Sequence, residues 1–268
     1  MLRGNRKILL RSAVANPAAS FAPTDIASLK AWWDFSHAAS VYEDTGATDP
    51  AEADDGIAYL ADRTASGLHL TQGTAGARPT WKAAIQNGLS IGRHDGGDVL
   101  TRASVTGSAL FANDAGTVFM AFSNSSADSI HTPFRWSQSL NNFVSLYAPY
   151  SDNTFYFDFG KYDAGGRISV AQPGGWDDAW HILCLHRSGT AGKIYVDGGA
   201  AILSGTFSDD LDNTQSGTLG LGAAGSGDEM TGDYGECLVF NEGLSVANLN
   251  AVGSYLATKW SLTWSTVS

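Results

Sequence analysis

Apolar residues alternate with small or polar ones through most of this chain. Leu89 and Ile91 flank Ser90, and Val144 and Leu146 flank Ser145. Phe155, Phe157 and Phe159 alternate with Tyr156 and Asp158. The same period of two recurs at Ile168 and Val170, Ile194 and Val196, Leu219 and Leu221, and Leu238 and Phe240. Such alternation marks strands with one buried face. Val118, Met120 and Phe122 alternate with Phe119 and Ala121, so that segment is apolar on both sides. Turn clusters separate the segments, among them Asn124-Ser125-Ser126, Asp163-Ala164-Gly165-Gly166 and Pro173-Gly174-Gly175. Asp197-Gly198 reads as a tight hairpin turn, and Trp180 opens a strand and is expected to fill the core. Many short strands with frequent turns predict a sandwich or barrel.

Two stretches break the pattern. Behind Ser245, the apolar residues Val246, Leu249, Val252, Leu256 and Trp260 recur at helical spacing, which predicts one amphipathic helix over about 245–259. Near the other end, Thr24 reads as the cap of a helical turn from Asp25 to Lys30, followed by a strand over Ala31–Phe35. Residues 43–56 are small, acidic and aperiodic, as a surface loop is.

Composition narrows the class. Of 268 residues, 31 are glycine and 16% are charged, against a usual quarter. A coiled coil and a charge-driven disordered chain are excluded. The net charge of −11 is unevenly placed. Arg3, Arg6, Lys7 and Arg11 face no acid within the first eleven residues, so the rest carries 12 basic and 27 acidic residues. That distribution disfavours general nucleic-acid binding. Residues 1–22 read as an arm and 23–268 as one sandwich domain. The arm is either a solvated terminus or an element that docks on a partner. Its apolar run, Ile8-Leu9-Leu10, is too short for a secretory signal, and no run approaches a membrane span. Cys184 and Cys237 lie in strand-like runs, where free buried thiols are expected.

Several stretches together resemble the concanavalin A-like lectin/glucanase superfamily, in its laminin G-like branch. They are Leu29-Lys30-Ala31-Trp32-Trp33-Asp34, Asp62-Arg63-Thr64-Ala65-Ser66-Gly67-Leu68, Arg78-Pro79-Thr80-Trp81 and Asp95-Gly96-Gly97-Asp98. Later come Trp180-His181-Ile182, Lys193-Ile194-Tyr195-Val196-Asp197-Gly198 and Gly232-Asp233-Tyr234-Gly235-Glu236-Cys237-Leu238-Val239-Phe240. The resemblance covers about 25–268. It implies an all-β, antiparallel two-sheet jelly-roll sandwich with the C-terminal amphipathic helix and an extended N-terminal arm. Single modules of this kind are similar to domains of tailed-phage virion proteins. The fold itself hosts lectins, glycosidases and structural modules, so function rests on the site.

Candidate chemistry is sparse. Glucanase members of the superfamily place Glu-x-Asp-x-Glu on one strand, and no such triplet occurs among the five glutamates here. Glu236 shares the parity of Leu238 and Phe240, and a buried carboxylate there needs hydrogen-bond partners. Gly220-Leu221-Gly222-Ala223-Ala224-Gly225 precedes no helix and reads as a strand end, not a phosphate loop. The six histidines lack zinc spacing. Lectin-like relatives bind calcium through loop carboxylates, which makes Asp95, Asp98, Asp228 and Asp233 candidate Ca²⁺ ligands; turn chemistry alone also accounts for them. Trp136, Tyr150, Trp176 and Asn153 are candidate carbohydrate contacts, with core filling as the alternative for each ring.

The expectation is a non-enzymatic virion structural protein of a tailed phage, a capsid decoration or tail-associated part. It would be made in the host cytoplasm without a signal peptide, in a homo-oligomer or multi-copy assembly. Its arm (Arg3, Arg6, Lys7, Arg11) would contact other virion proteins, and its lectin-like body would face host-surface glycans, with neither nucleic acid nor membrane as partner. A carbohydrate-binding adhesion module is the first alternative and a glycoside hydrolase the second.

Overall fold

The computed structural model describes residues 21–125, 130–163, 165–222 and 229–268. The basic residues Arg3, Arg6, Lys7 and Arg11 lie outside them. In chain order the strands are β1 (Leu29–Asp34), β2 (Val41–Tyr42), β3 (Tyr59–Leu60), β4 (Leu70–Thr71), β5 (Thr80–Gln86), β6 (Leu89–Asp95), β7 (Leu100–Thr106), β8 (Ala115–Asn124) and β9 (Phe134–Ser139). They continue with β10 (Asn142–Tyr147), β11 (Thr154–Gly160), β12 (Arg167–Ala171), β13 (Trp180–Ser188), β14 (Ala191–Val196), β15 (Leu203–Thr206), β16 (Ser216–Leu221) and β17 (Thr231–Phe240). A single α-helix, α1, spans Val246–Trp260 among the described residues.

These strands form the antiparallel two-sheet sandwich that the alternation predicts. The first sheet runs β15-β14-β13-β8-β17-β6-β5, with β1 also paired to β17. The second runs β12-β11-β10-β9-β16-β7-β4-β3-β2. Between them lies an aromatic core that includes Trp33, Phe122, Trp136, Phe155, Phe157, Phe159 and Trp176. Ring pairs such as Phe155–Trp176, with centroids 4.7 Å apart and edge-on, add to the area buried.

The other face of the first sheet is buried as well. Phe119, Ala121, Ile182, Cys184, Leu238 and Phe240 pack there against Leu249, Val252, Leu256 and Trp260 of α1. This explains why β8 is apolar at every position from Val118 to Phe122. Cys184 and Cys237 are free and buried, and they belong to opposite faces of the sheet. Ser245 caps α1 by accepting from the Asn248 amide at 3.3 Å. Val246, counted in the apolar stripe, is instead 47% exposed, because it precedes the turn that meets the sheet.

Three local expectations are corrected. Asp25 does not open a helix to Lys30: the chain makes a 3₁₀ turn at Pro23–Asp25, where the Asp25 carboxylate accepts from the Ala22 amide, and β1 begins at Leu29. Asp197-Gly198 is not a two-residue hairpin, since β14 ends at Val196 and β15 starts at Leu203. Both residues have positive φ, and the C-terminal segment packs where a side chain would stand: a Cβ on Gly198 would lie 2.0 Å from the Ser265 carbonyl oxygen. Trp180 lies outside the inter-sheet core and stacks on Trp260 at 5.9 Å, closing the end of the helix layer.

A buried ionic cluster fastens α1 to the sheet. Glu236 is fully buried on the helix side of β17. It accepts from the Trp32 indole (2.5 Å), the Tyr255 hydroxyl (2.8 Å), Lys259 Nζ (2.7 Å) and the Trp260 indole (3.0 Å). Lys259 also lies 2.7 Å from Asp34, which pairs with Arg63. Burial, and then the charge of Asp34, holds the Glu236 carboxyl above the usual glutamate range. Burial also acts on Asp34, but Lys259, Ser36 and Arg63 outweigh it and hold that carboxyl low. The Glu236 carboxylate thus meets the demand for partners that its position raised. Gly235 leaves room for the Trp260 ring, which a Cβ there would meet at 2.7 Å.

Lys259→Met removes the cation that both buried carboxylates share. It is expected to cost about 3–5 kcal/mol in denaturant unfolding, whereas Val246→Ala at the exposed start of α1 should stay within about 0.5 kcal/mol. Equal effects of the two would contradict the anchoring role.

Candidate functional site

Among the described residues, no helix lies on the outer face of the second sheet. Because Phe155, Phe157 and Phe159 point into the core, Tyr156 and Asp158 point outward. Register sets Ser145 opposite Asp158 and Asp158 opposite Arg167, while Arg135 stands opposite Ser145. One row across β9–β12 therefore reads Arg135, Ser145, Asp158, Arg167. Arg167 binds Asp158 through two hydrogen bonds of 2.6 and 2.8 Å. Burial pushes the Asp158 carboxyl above the ordinary aspartate range, against the pull of Arg167 and Arg135.

Tyrosines surround this ion pair. The Arg167 guanidinium carbon lies 4.2 Å from the Tyr162 ring centroid, 4.4 Å from Tyr156 and 5.7 Å from Tyr147. Tyr150 meets both Tyr147 and Tyr156 edge-on. Tyr162 is 54% exposed, and its amide donates to the carbonyl of Leu140, itself 64% exposed. An exposed apolar patch thus adjoins a guanidinium and several phenol hydroxyls. Tyr156 donates to Asp152 at 2.7 Å, which fixes the turn before β11. Beyond that turn, a groove of about 350 Å³ is lined by Asn153, Gln172, Pro173, Gly174, Gly175 and Asp177. Asp177 accepts from the Asn124 and Gln172 amides. Large apolar rings beside fixed polar groups suit a sugar, which presents a C–H face and a hydroxyl rim.

Of the carbohydrate candidates, Tyr150 and Asn153 lie on this surface. Trp136 and Trp176 do not: they are fully buried, with indoles donating to the carbonyls of Val105 and Ala148. Trp136 shares the inward parity of Phe134, and Trp176 tucks under its loop onto Phe122 and Phe155. Tyr156 and Arg167 were not singled out by sequence. The outward parity of Tyr156 was readable from the three inward phenylalanines beside it, but the approach of the 161–163 loop to Leu140 was not.

The calcium candidates divide: Asp95 and Asp98 stay together at the β6–β7 turn, while Asp233 turns to Arg93. Asp233 binds Arg93 through both oxygens, at 2.7 and 2.8 Å. Asp98 is buried and accepts from the Asp95 amide, closing the β6–β7 turn. Asp228 lies outside the described residues. No three His, Cys, Asp or Glu side chains among the described residues come together as a metal site would require. Two further hollows occur, one of about 280 Å³ near Arg93 and Asp233, and one of about 480 Å³ along Phe21, Ala251, Ser254 and Tyr255 of the helix layer.

No family model matches the sequence, and no curated protein matches it. Solved structures share its fold. Domain 4 of AbnA, a GH43 extracellular arabinanase from Geobacillus stearothermophilus in complex with arabinotriose, is 15% identical with a TM-score of 0.60, covering 84% of this chain and 98% of that one. A GH54 α-L-arabinofuranosidase soaked with a cyclic sulfate inhibitor is 13% identical with a TM-score of 0.53, covering 77% of this chain and 52% of that one. The receptor-binding domain of botulinum neurotoxin D is 12% identical with a TM-score of 0.51, covering 73% and 50%. The shared feature is the two-sheet β-sandwich fold.

The turn at Asp98 makes a titration prediction. Burial holds His94 down at about 4, from an ordinary 6.5, while its Nδ1 lies 3.1 Å from the Asp98 carbonyl oxygen. Burial pushes Asp98 up to about 6, from 3.8. The His94 contribution to stability is present above pH 6.5 and is lost as pH falls toward 4. The Asp98 contribution is present below pH 3.8 and is lost as pH rises through 6. Between pH 4 and 6 the two slopes oppose each other. Asp98→Asn should uncover the His94 slope, so that the variant loses stability relative to the parent as pH falls from 6 to 4, by roughly 1 kcal/mol per pH unit. A pH-independent difference in denaturation midpoints would refute this.

Proposed function

We propose that this chain is a non-catalytic glycan-binding module whose ligand lies on the outer face of the second sheet, across Tyr162, Tyr156 and Tyr150. The observation that carries the reading is the exposed Tyr162–Leu140 patch beside the Arg167–Asp158 pair, on the sheet face opposite the helix layer. The complex of the arabinanase domain with arabinotriose supports it from outside this chain. A hydrolase needs two carboxyl groups within about 9.5 Å on either side of a sugar. Here Asp158 is the acid in the central row, Arg167 engages both of its oxygens, and Glu236 is sealed under α1.

The finer reading places the module, of the laminin G-like branch, on a tailed-phage virion, with its acidic body outward and the basic arm on capsid or tail. It is supported by the resemblance in sequence and by the separation of +4 on residues 1–11 from −15 on the rest. Removing residues 1–20 should leave the sandwich folded and abolish incorporation into particles; unchanged incorporation would count against an anchoring arm.

The glycan reading is tested by array screening followed by calorimetry. Tyr162→Ala should weaken binding about tenfold, as expected for loss of a stacking ring worth roughly 1.4 kcal/mol, with no change in melting temperature. Absence of binding above background, or full affinity in the variant, would overturn it. Release of reducing sugar from a bound polysaccharide would overturn the non-catalytic part.

A further inference from the structure

Charge around the tyrosine face narrows the ligand class beyond a glycan in general. Arg167 is the cation nearest the rings, and Asp158 neutralises it through a two-bond pair. Arg135, in the same row, is 8% exposed and has partners of its own. Lys161 lies 3.1 Å from Asp209 and also acts on Asp163, so one cation serves two carboxylates. Asp163 is exposed and directly follows Tyr162. Asp152 is exposed and accepts from the Tyr156 hydroxyl. Asp177, on the wall of the adjoining groove, is held by two neutral amides.

Carboxylates therefore outnumber cations along the rim that a ligand would cross. The hydrogen bond from Tyr156, with help from Thr154, keeps Asp152 below the usual carboxylate range, and the Gly165 amide does the same for Asp163, so both stay ionised at neutral pH. We propose that this face admits uncharged glycans and turns away carboxylated ones. The inference rests on the glycan-binding reading above. Its physical basis is like-charge repulsion from exposed carboxylates, which acts over about a Debye length and weakens with salt.

The test uses one backbone with and without charge. An arabinan, a β-glucan and a xylan are each prepared as hydroxyethyl and carboxymethyl derivatives, which differ little in bulk and chiefly in charge. Binding to the full chain is measured by calorimetry at low salt and at about 0.5 M salt. For whichever backbone binds, the carboxymethyl form should bind at least about fivefold more weakly at low salt, and the gap should narrow at high salt. In the Asp152→Asn/Asp163→Asn variant the gap should close to about twofold or less, since the amides keep the acceptor oxygens but remove the charges. Equal or tighter binding of the carboxymethyl form, or a gap unchanged in the double variant, overturns the inference while leaving the glycan reading intact. Failure of every derivative to bind overturns the glycan reading, and the charge inference falls with it.

Discussion

The buried Glu236 carboxylate sets the asymmetry of this protein. Four donors from β1 and α1 converge on it, and Lys259 joins it to Asp34. A bare carboxylate at that depth would be costly, so the helix must dock where Tyr255, Lys259 and Trp260 can reach it. Docking there spends the outer face of the first sheet on the helix. The outer face of the second sheet has no such helix among the described residues: Tyr162 and Leu140 stand exposed at its rim beside the buried Ser145 and Asp158. Which side of the sandwich can bind anything large therefore follows from where one buried charge finds its partners.

The open face solves a related problem differently. Asp158 is as deeply buried as Glu236, but it has one strong partner, Arg167, with tyrosines packed around the guanidinium. The pair orders the rings without closing them off, since Tyr162 stays more than half exposed. A rigid, amphipathic aromatic surface costs little conformational entropy when it binds. The same ion pair neutralises Arg167 and leaves the electrostatics of the rim to the surrounding acids.

Much of the fold was legible because period-two alternation and the capped stripe after Ser245 report directly on which face is buried. The short strands β2, β3 and β4 escaped, since two residues cannot show a period. The helical turn expected at Asp25 failed because the Asp25 side chain closes a single 3₁₀ turn on Ala22 and the chain then enters the sheet. The candidate site was half legible. Tyr150 and Asn153 sit on this surface, while Trp136 and Trp176 are core, the alternative that held for each ring, because residue type alone says nothing of parity or of a loop folding inward. Arg167 could be given its partner only once register placed it opposite Asp158.

Ligand binding is proposed for the outer face of the second sheet. Amide hydrogen exchange, compared with and without a saturating neutral oligosaccharide found by screening, tests this most directly. The account predicts slowed exchange confined to β10–β12 and the 161–177 connections, with α1 unchanged. Protection centred on α1, or on the hollow between Arg93 and Asp233, with none on β10–β12, would contradict it.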